Sequence, residues 1–187
     1  GVSVVVLQSD NTLYSTTVSL GGYQWSIRLT TSLPYGSQAP LAPVASPDGS
    51  VYYVMVPYMY DIAGCGLFAV AASDGAVLWR MRMHANTGFY GFAAGPTPSP
   101  DGRYLSLCAD QAGLLFRLNA STGAIGATIG TTACASPIVW FHGNEYVRVG
   151  VGGQQSMPNE QGILRLNWNA PANSALVHKP SPARARV

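Results

Sequence analysis

The chain has 187 residues, 48% of them apolar and only 10% charged, with a formal net charge of +2. That length and apolar share suit one domain with its own core. The weak positive balance argues against a nucleic-acid partner, and no apolar run reaches the ~18 residues that a membrane-spanning helix needs.

Charge is well below the ~25% of ordinary soluble domains, and Gly, Ser, Thr and Ala take its place. Such a surface is kept soluble by hydroxyl and amide groups, or it is covered by a partner. Three cysteines, Cys65, Cys108 and Cys134, form no CxxC pair, and their odd number leaves at least one outside any internal disulfide. The sequence opens on Gly1 rather than Met, as expected of a processed chain or of a segment of something longer.

Taken in order, Val2 to Leu7 is a β-branched run that predicts a buried strand. Leu13 to Leu20 and Tyr23 to Ile27 follow, separated by Gly21-Gly22, so a first blade at about 1–29 lacks its opening strand. After a Pro/Gly/Ser loop from Thr30, a second blade at about 42–83 runs through Ala42–Ala45, Val51–Val56, Leu67–Ala71 and Ala76–Met81. Pro57 to Gly66 reads as a long loop within it. A third blade at about 94–130 and a fourth at about 135–169 repeat the scheme, and 170–187 reads as an irregular basic tail. Apolar spacing is two throughout, and Gly or Pro interrupts every longer window, so no helix is predicted.

Two landmarks recur in register. Leu13, Leu67 and Leu115 each open a short apolar pair, with a glycine eight residues later at Gly21, Gly75 and Gly123. Ser46-Pro47-Asp48-Gly49 returns as Ser99-Pro100-Asp101-Gly102, each time ahead of an apolar strand. A weaker fourth copy is expected to begin near Ile163. Repeats of roughly 40–50 residues with four short strands each predict propeller blades. The expected fold is all-β: a β-propeller segment of about three and a half four-stranded antiparallel blades.

The window Ala69-Val70-Ala71-Ala72-Ser73-Asp74-Gly75-Ala76-Val77-Leu78-Trp79 resembles the tryptophan-docking motif of quinoprotein-like (PQQ-type) β-propellers. Ala69, Gly75 and Trp79 match that motif. The first copy keeps Gly21 and Trp25; the third keeps Asn119, Thr122 and Gly123 but has Ala127 in place of the tryptophan. The resemblance implies structural docking by Gly21, Trp25, Gly75, Trp79 and Gly123, with each indole packed on the neighbouring blade. It also implies about eight blades, so this chain is expected to be part of a longer propeller or to complete one with other protein chains. Quinone-using members are implied to carry a vicinal disulfide and a calcium held by Glu, Asn and Asp. Here no two cysteines are adjacent and Glu145 and Glu160 are the only glutamates, so no cofactor of its own is expected.

Other chemistry is thin. His84, His142 and His178 have no metal-ligand spacing. No Gly-x-Ser-x-Gly elbow is present, and Gly150-Val151-Gly152-Gly153 precedes no helix that would make it a phosphate cradle. Asp48, Asp74 and Asp101 each precede a turn glycine, where Asp bonds its own backbone. Long loops are expected to crowd one face of the propeller, where binding tends to live. Tyr58, Met59, Tyr60, Phe89, Tyr90 and Phe92 are the candidate partner-binding residues, since Tyr, Phe and Met are enriched in interfaces. Asn119-Ala120-Ser121 is a possible glycosylation site, which tilts the location towards a secreted or cell-surface compartment. The expected function is a non-enzymatic binding or scaffolding module. The alternatives are a piece of a PQQ-dependent dehydrogenase, or a secreted carbohydrate- or wall-associated protein.

Overall fold

Apolar residues at alternate positions, parted by turns rich in Gly, Asp and Asn, give β-structure throughout the computed structural model. It describes residues 3–8, 12–17, 23–29, 41–59, 64–84, 95–109, 114–130, 137–150, 161–168 and 177–178. Among them there is no helix, and so none long and apolar enough to cross a membrane.

The first sheet is three-stranded: β1 (Ser3–Leu7), β2 (Thr12–Thr17) and β3 (Tyr23–Arg28), in that order. The second runs β4 (Val44–Ala45), β5 (Val51–Met59), β6 (Gly64–Ala71) and β7 (Val77–His84). The third runs β8 (Thr97–Pro98), β9 (Tyr104–Ala109), β10 (Leu114–Asn119) and β11 (Ile125–Gly130). The fourth runs β12 (Val139–Phe141), β13 (Asn144–Gly150), β14 (Gln161–Arg165) and β15 (Val177–His178). All pairings are antiparallel and follow chain order, so each sheet is a meander. The short leading strands β4 and β8 lie beside each other. This is a β-propeller array.

The core lies between sheets. Leu13, Val54, Val56, Phe68 and Val70 fill the first junction. Tyr53, Met55, Leu67, Leu105, Leu107 and Leu118 fill the second. Cys108, Leu115, Ile129, Ile138, Val147 and Leu166 fill the third. The second sheet is covered on both faces, which is why Tyr53 to Val56 and Gly66 to Val70 are buried without alternation.

Three sequence expectations are corrected here. The loop expected over Pro57–Gly66 is mostly strand: β5 continues to Met59 and β6 starts at Gly64, leaving 60–63 between them. Pro57 cannot donate to a ladder, and the pairing register shifts between Val56 and Met59 to carry it. The tail beyond 170 is not wholly irregular, because Val177 and His178 pair with Leu164 and Ile163 as β15. The fourth copy expected near Ile163 does fall on the third strand of its sheet, β14, but out of register: Ile163 is 57% exposed where Leu13, Leu67 and Leu115 are fully buried. In that sheet Val147 and Leu166 supply the inward row instead.

Candidate interaction site

The hairpins that close the second and third sheets are built alike. Gly75 N donates to Ala71 O at 3.0 Å and Gly123 N to Asn119 O at 2.8 Å. Both glycines have positive φ, +77° and +72°. Asp74 Oδ1 accepts from Ala76 N in one hairpin, and Asn119 Oδ1 accepts from Ser121 N and Thr122 N in the other.

Each hairpin receives an indole from the preceding sheet. Trp25 Nε1 donates to Ala72 O at 3.0 Å, and Trp79 Nε1 donates to Ala120 O at 3.0 Å. The rings lie on the glycines so closely that a Cβ at Gly75 would sit 2.6 Å from Trp25 Cε3, and one at Gly123 2.6 Å from Trp79 Cε3. Glycine is thus required twice over at these two positions, by φ and by contact. Tyr52 and Tyr53 add tilted ring contacts to Trp25 and Trp79, with centroids 6.4 and 6.2 Å apart.

The third junction has no such dock. Cross-strand pairs show why: Ser15 faces Trp25 and Ala69 faces Trp79, but Arg117 faces Ala127. The large side chain has moved one strand inward. The guanidinium of Arg117 stacks 4.4 Å from the Tyr104 ring centroid and 5.3 Å from that of Trp168. Glu145, 2% exposed, sits between the sheets. It accepts from Ser106 Oγ at 2.5 Å and from Trp168 Nε1, and its Oε2 lies 3.9 Å from Arg117 Nη2. Trp168 packs on the core of this junction from the fourth sheet's side. Sequence reasoning missed this group. Its signal was the pairing of a lost tryptophan at Ala127 with Trp168 beyond the fourth strand run.

A cleft of about 550 Å³ opens between the second and third sheets on the face of the short turns. Ser46, Asp48, Ser50, Leu78, Asp101 and Ser121 are among its walls. Its two carboxylates are tied into their own turns. Asp48 accepts from Ser46 Oγ at 2.6 Å, Ser50 N at 3.1 Å and Ser50 Oγ at 2.9 Å. The Ser46 hydroxyl first, then Ser50, lower its pKa to about 2. Asp101 is lowered in the same way by Ser99 Oγ at 2.6 Å, then Arg103 N at 3.1 Å, with help from the Arg103 charge. Both therefore serve as turn anchors and stay ionised at neutral pH.

Of the sequence-derived contact residues, Tyr58 and Met59 fall on the described end of β5, with their side chains outside the described set. Tyr60, Phe89, Tyr90 and Phe92 lie outside the described residues, as does Gly21. Asn119 is exposed on the third sheet's hairpin, with Ser121 Oγ donating to its Oδ1 at 2.7 Å. Cys108 is disulfide-bonded. No group of three or more His, Cys, Asp or Glu side chains that could hold a metal is found among the described residues.

No protein-family model matches the sequence, and no curated relative matches it. Solved structures do match. BamB from Moraxella catarrhalis aligns with a TM-score of 0.54 and 18% identity, over 78% of this chain and 43% of that one. Dihydro-heme d1 dehydrogenase NirN in complex with DHE aligns with a TM-score of 0.62 and 14% identity, over 94% of this chain and 34% of that one. At these identities the likeness is one of fold, and it places the chain among β-propellers. The chain spans less than half the length of either neighbour.

Proposed function

We propose that the chain is a binding or scaffolding propeller module within a larger protein or assembly. The observation that carries this reading is the pair of indole docks. Trp25 and Trp79 fasten three successive sheets into a stiff frame through bonds to Ala72 O and Ala120 O. The carboxylates of the cleft are spent on their own turns, so recognition is left to the connecting loops and the strand ends that lead into them, as on other rigid scaffolds. The span of 43% and 34% of the two neighbours supports a larger functional unit.

In this reading partners meet the aromatic and thioether side chains of Tyr58, Met59, Tyr60, Phe89, Tyr90 and Phe92. The test is quantitative co-purification from the native source. Tyr58→Ala/Tyr60→Ala is expected to lose at least one partner while its melting temperature holds. A double variant that retains every partner overturns the contact surface. A second reading, a subunit or fragment of a quinone-dependent dehydrogenase, draws support from the resemblance of the Ala69–Trp79 window to the docking motif of quinoprotein-like propellers. Quinone absorbance and calcium-dependent dye reduction in the native preparation would favour it over the scaffold.

A further inference from the structure

The sequence holds one Asn-x-Ser/Thr tripeptide, Asn119-Ala120-Ser121, and it falls on the hairpin between β10 and β11. Such tripeptides are common by chance; this one is set apart by its surroundings. Asn119 and Ser121 are both exposed. The Ser121 hydroxyl donates to Asn119 Oδ1 at 2.7 Å, so the two side chains that define the tripeptide already lie together. The bonds of the carboxamide all go to Oδ1, from Ser121 N, Ser121 Oγ and Thr122 N. Among the described residues, Nδ2, the atom to which a saccharide is joined, has no partner.

The hairpin closes without this side chain. At the same place in the second sheet's hairpin stands Ala71, four residues before its turn glycine, as Asn119 is before Gly123. There Ala71 N donates to Ala76 O and Gly75 N to Ala71 O; here Asn119 N donates to Ala124 O and Gly123 N to Asn119 O. The backbone ladder is the same with a methyl group as with a carboxamide.

An independent observation concerns the compartment. Cys108 is disulfide-bonded. Disulfides persist in oxidising compartments and are rare in the cytosol, and the Asn-x-Ser/Thr acceptor is used on chains that are exported. The hairpin also supplies Ala120 and Ser121 to the wall of the cleft between the second and third sheets, where Leu78 is 54% exposed. A saccharide at Asn119 would stand at the rim of that cleft and add hydroxyl groups to a surface poor in charge.

We propose that Asn119 carries an N-linked glycan. In the transfer, Nδ2 attacks the anomeric carbon of an oligosaccharide joined through pyrophosphate to a lipid. The C–N bond forms as the anomeric C–O bond breaks, the lipid pyrophosphate leaves, and Nδ2 gives up one proton. Nothing is oxidised or reduced. The transferase belongs to the export machinery and not to this chain.

The test is peptide mapping by mass spectrometry of the natural chain that contains these residues, before and after peptide N-glycosidase in heavy-oxygen water. The peptide with Asn119 is expected to lose one glycan and to emerge with aspartate at 119 carrying one heavy oxygen. Ser121→Ala should abolish the modification and Ser121→Thr should keep it, which a side chain serving only the turn would not show. An unmodified Asn119 in the natural chain overturns the proposal, and so does a glycan that survives Ser121→Ala. Neither result touches the scaffold reading, which is tested by the partners lost on Tyr58→Ala/Tyr60→Ala.

Discussion

At Gly75 and Gly123 the backbone sits at φ +77° and +72° with an indole against the Cα. An alanine there meets both left-handed strain and a collision with a ring that is itself hydrogen-bonded in place. Gly123→Ala is expected to destabilise by about 2–4 kcal/mol, measured by urea unfolding. Removing the indole is at least as harmful: Trp25→Ala or Trp79→Ala should cost about 3–5 kcal/mol. An unshifted unfolding midpoint would contradict the docking geometry. Asp48 offers a charge-sensitive readout. Its pKa of about 2 is depressed, so the stability it lends is complete above ~3.9, the value for a free Asp, and is lost as pH falls through the folded value. Ser46→Ala removes the largest cause and should move the Asp48 carboxyl titration upward, as followed by NMR of the side-chain carbon. Asp101, with its own serine, is the internal control.

Among the elements, the third junction departs from the rule of the first two. Where Ala69 leaves room beside Trp79, Arg117 fills the space beside Ala127. Its charge is met by Glu145, while Trp168 closes the gap from the far side. Truncating Glu145 strips an acceptor from Ser106 and Trp168 and leaves Arg117 in a partly buried site without its counter-charge. Glu145→Ala should therefore lower stability by about 3 kcal/mol in equilibrium unfolding. Ala127→Trp, which restores the motif on paper, should also destabilise, by about 1–3 kcal/mol, because Arg117 occupies the space. These contrasts bear on what could be read in advance. Strand alternation and the glycine spacing made the sheets legible, since both are local signals. The Arg117–Glu145–Trp168 group was not legible, because its members lie on two sheets and meet only after packing. The extension of β5 past Pro57 was missed for a similar reason. A proline normally ends a ladder, and only the local register shift shows how this one is tolerated.

For the whole molecule, sequence periodicity implied a ring segment, and the fold likeness to BamB and NirN agrees with that at 18% and 14% identity. The candidate contact residues were chosen by residue type and loop length, and Tyr58 and Met59 prove to lie on a strand. The disulfide of Cys108 is a covalent restraint that an odd cysteine count left open. Reduction should lower unfolding stability by about 2–4 kcal/mol. Peptide mapping without reductant should identify its partner.

The uneven junctions also bear on how the array yields to load. Sheets that touch only their neighbours separate one boundary at a time. A boundary clasped by an indole over glycine is a short-range, hydrocarbon-rich bond, whereas the third boundary adds to its apolar core a buried charged group at Glu145 that water will solvate as soon as a gap opens. Pulled from its ends in an optical trap, the array should tear first between the third and fourth sheets, and Glu145→Ala should lower the force of that first rip while leaving the later ones nearly unchanged.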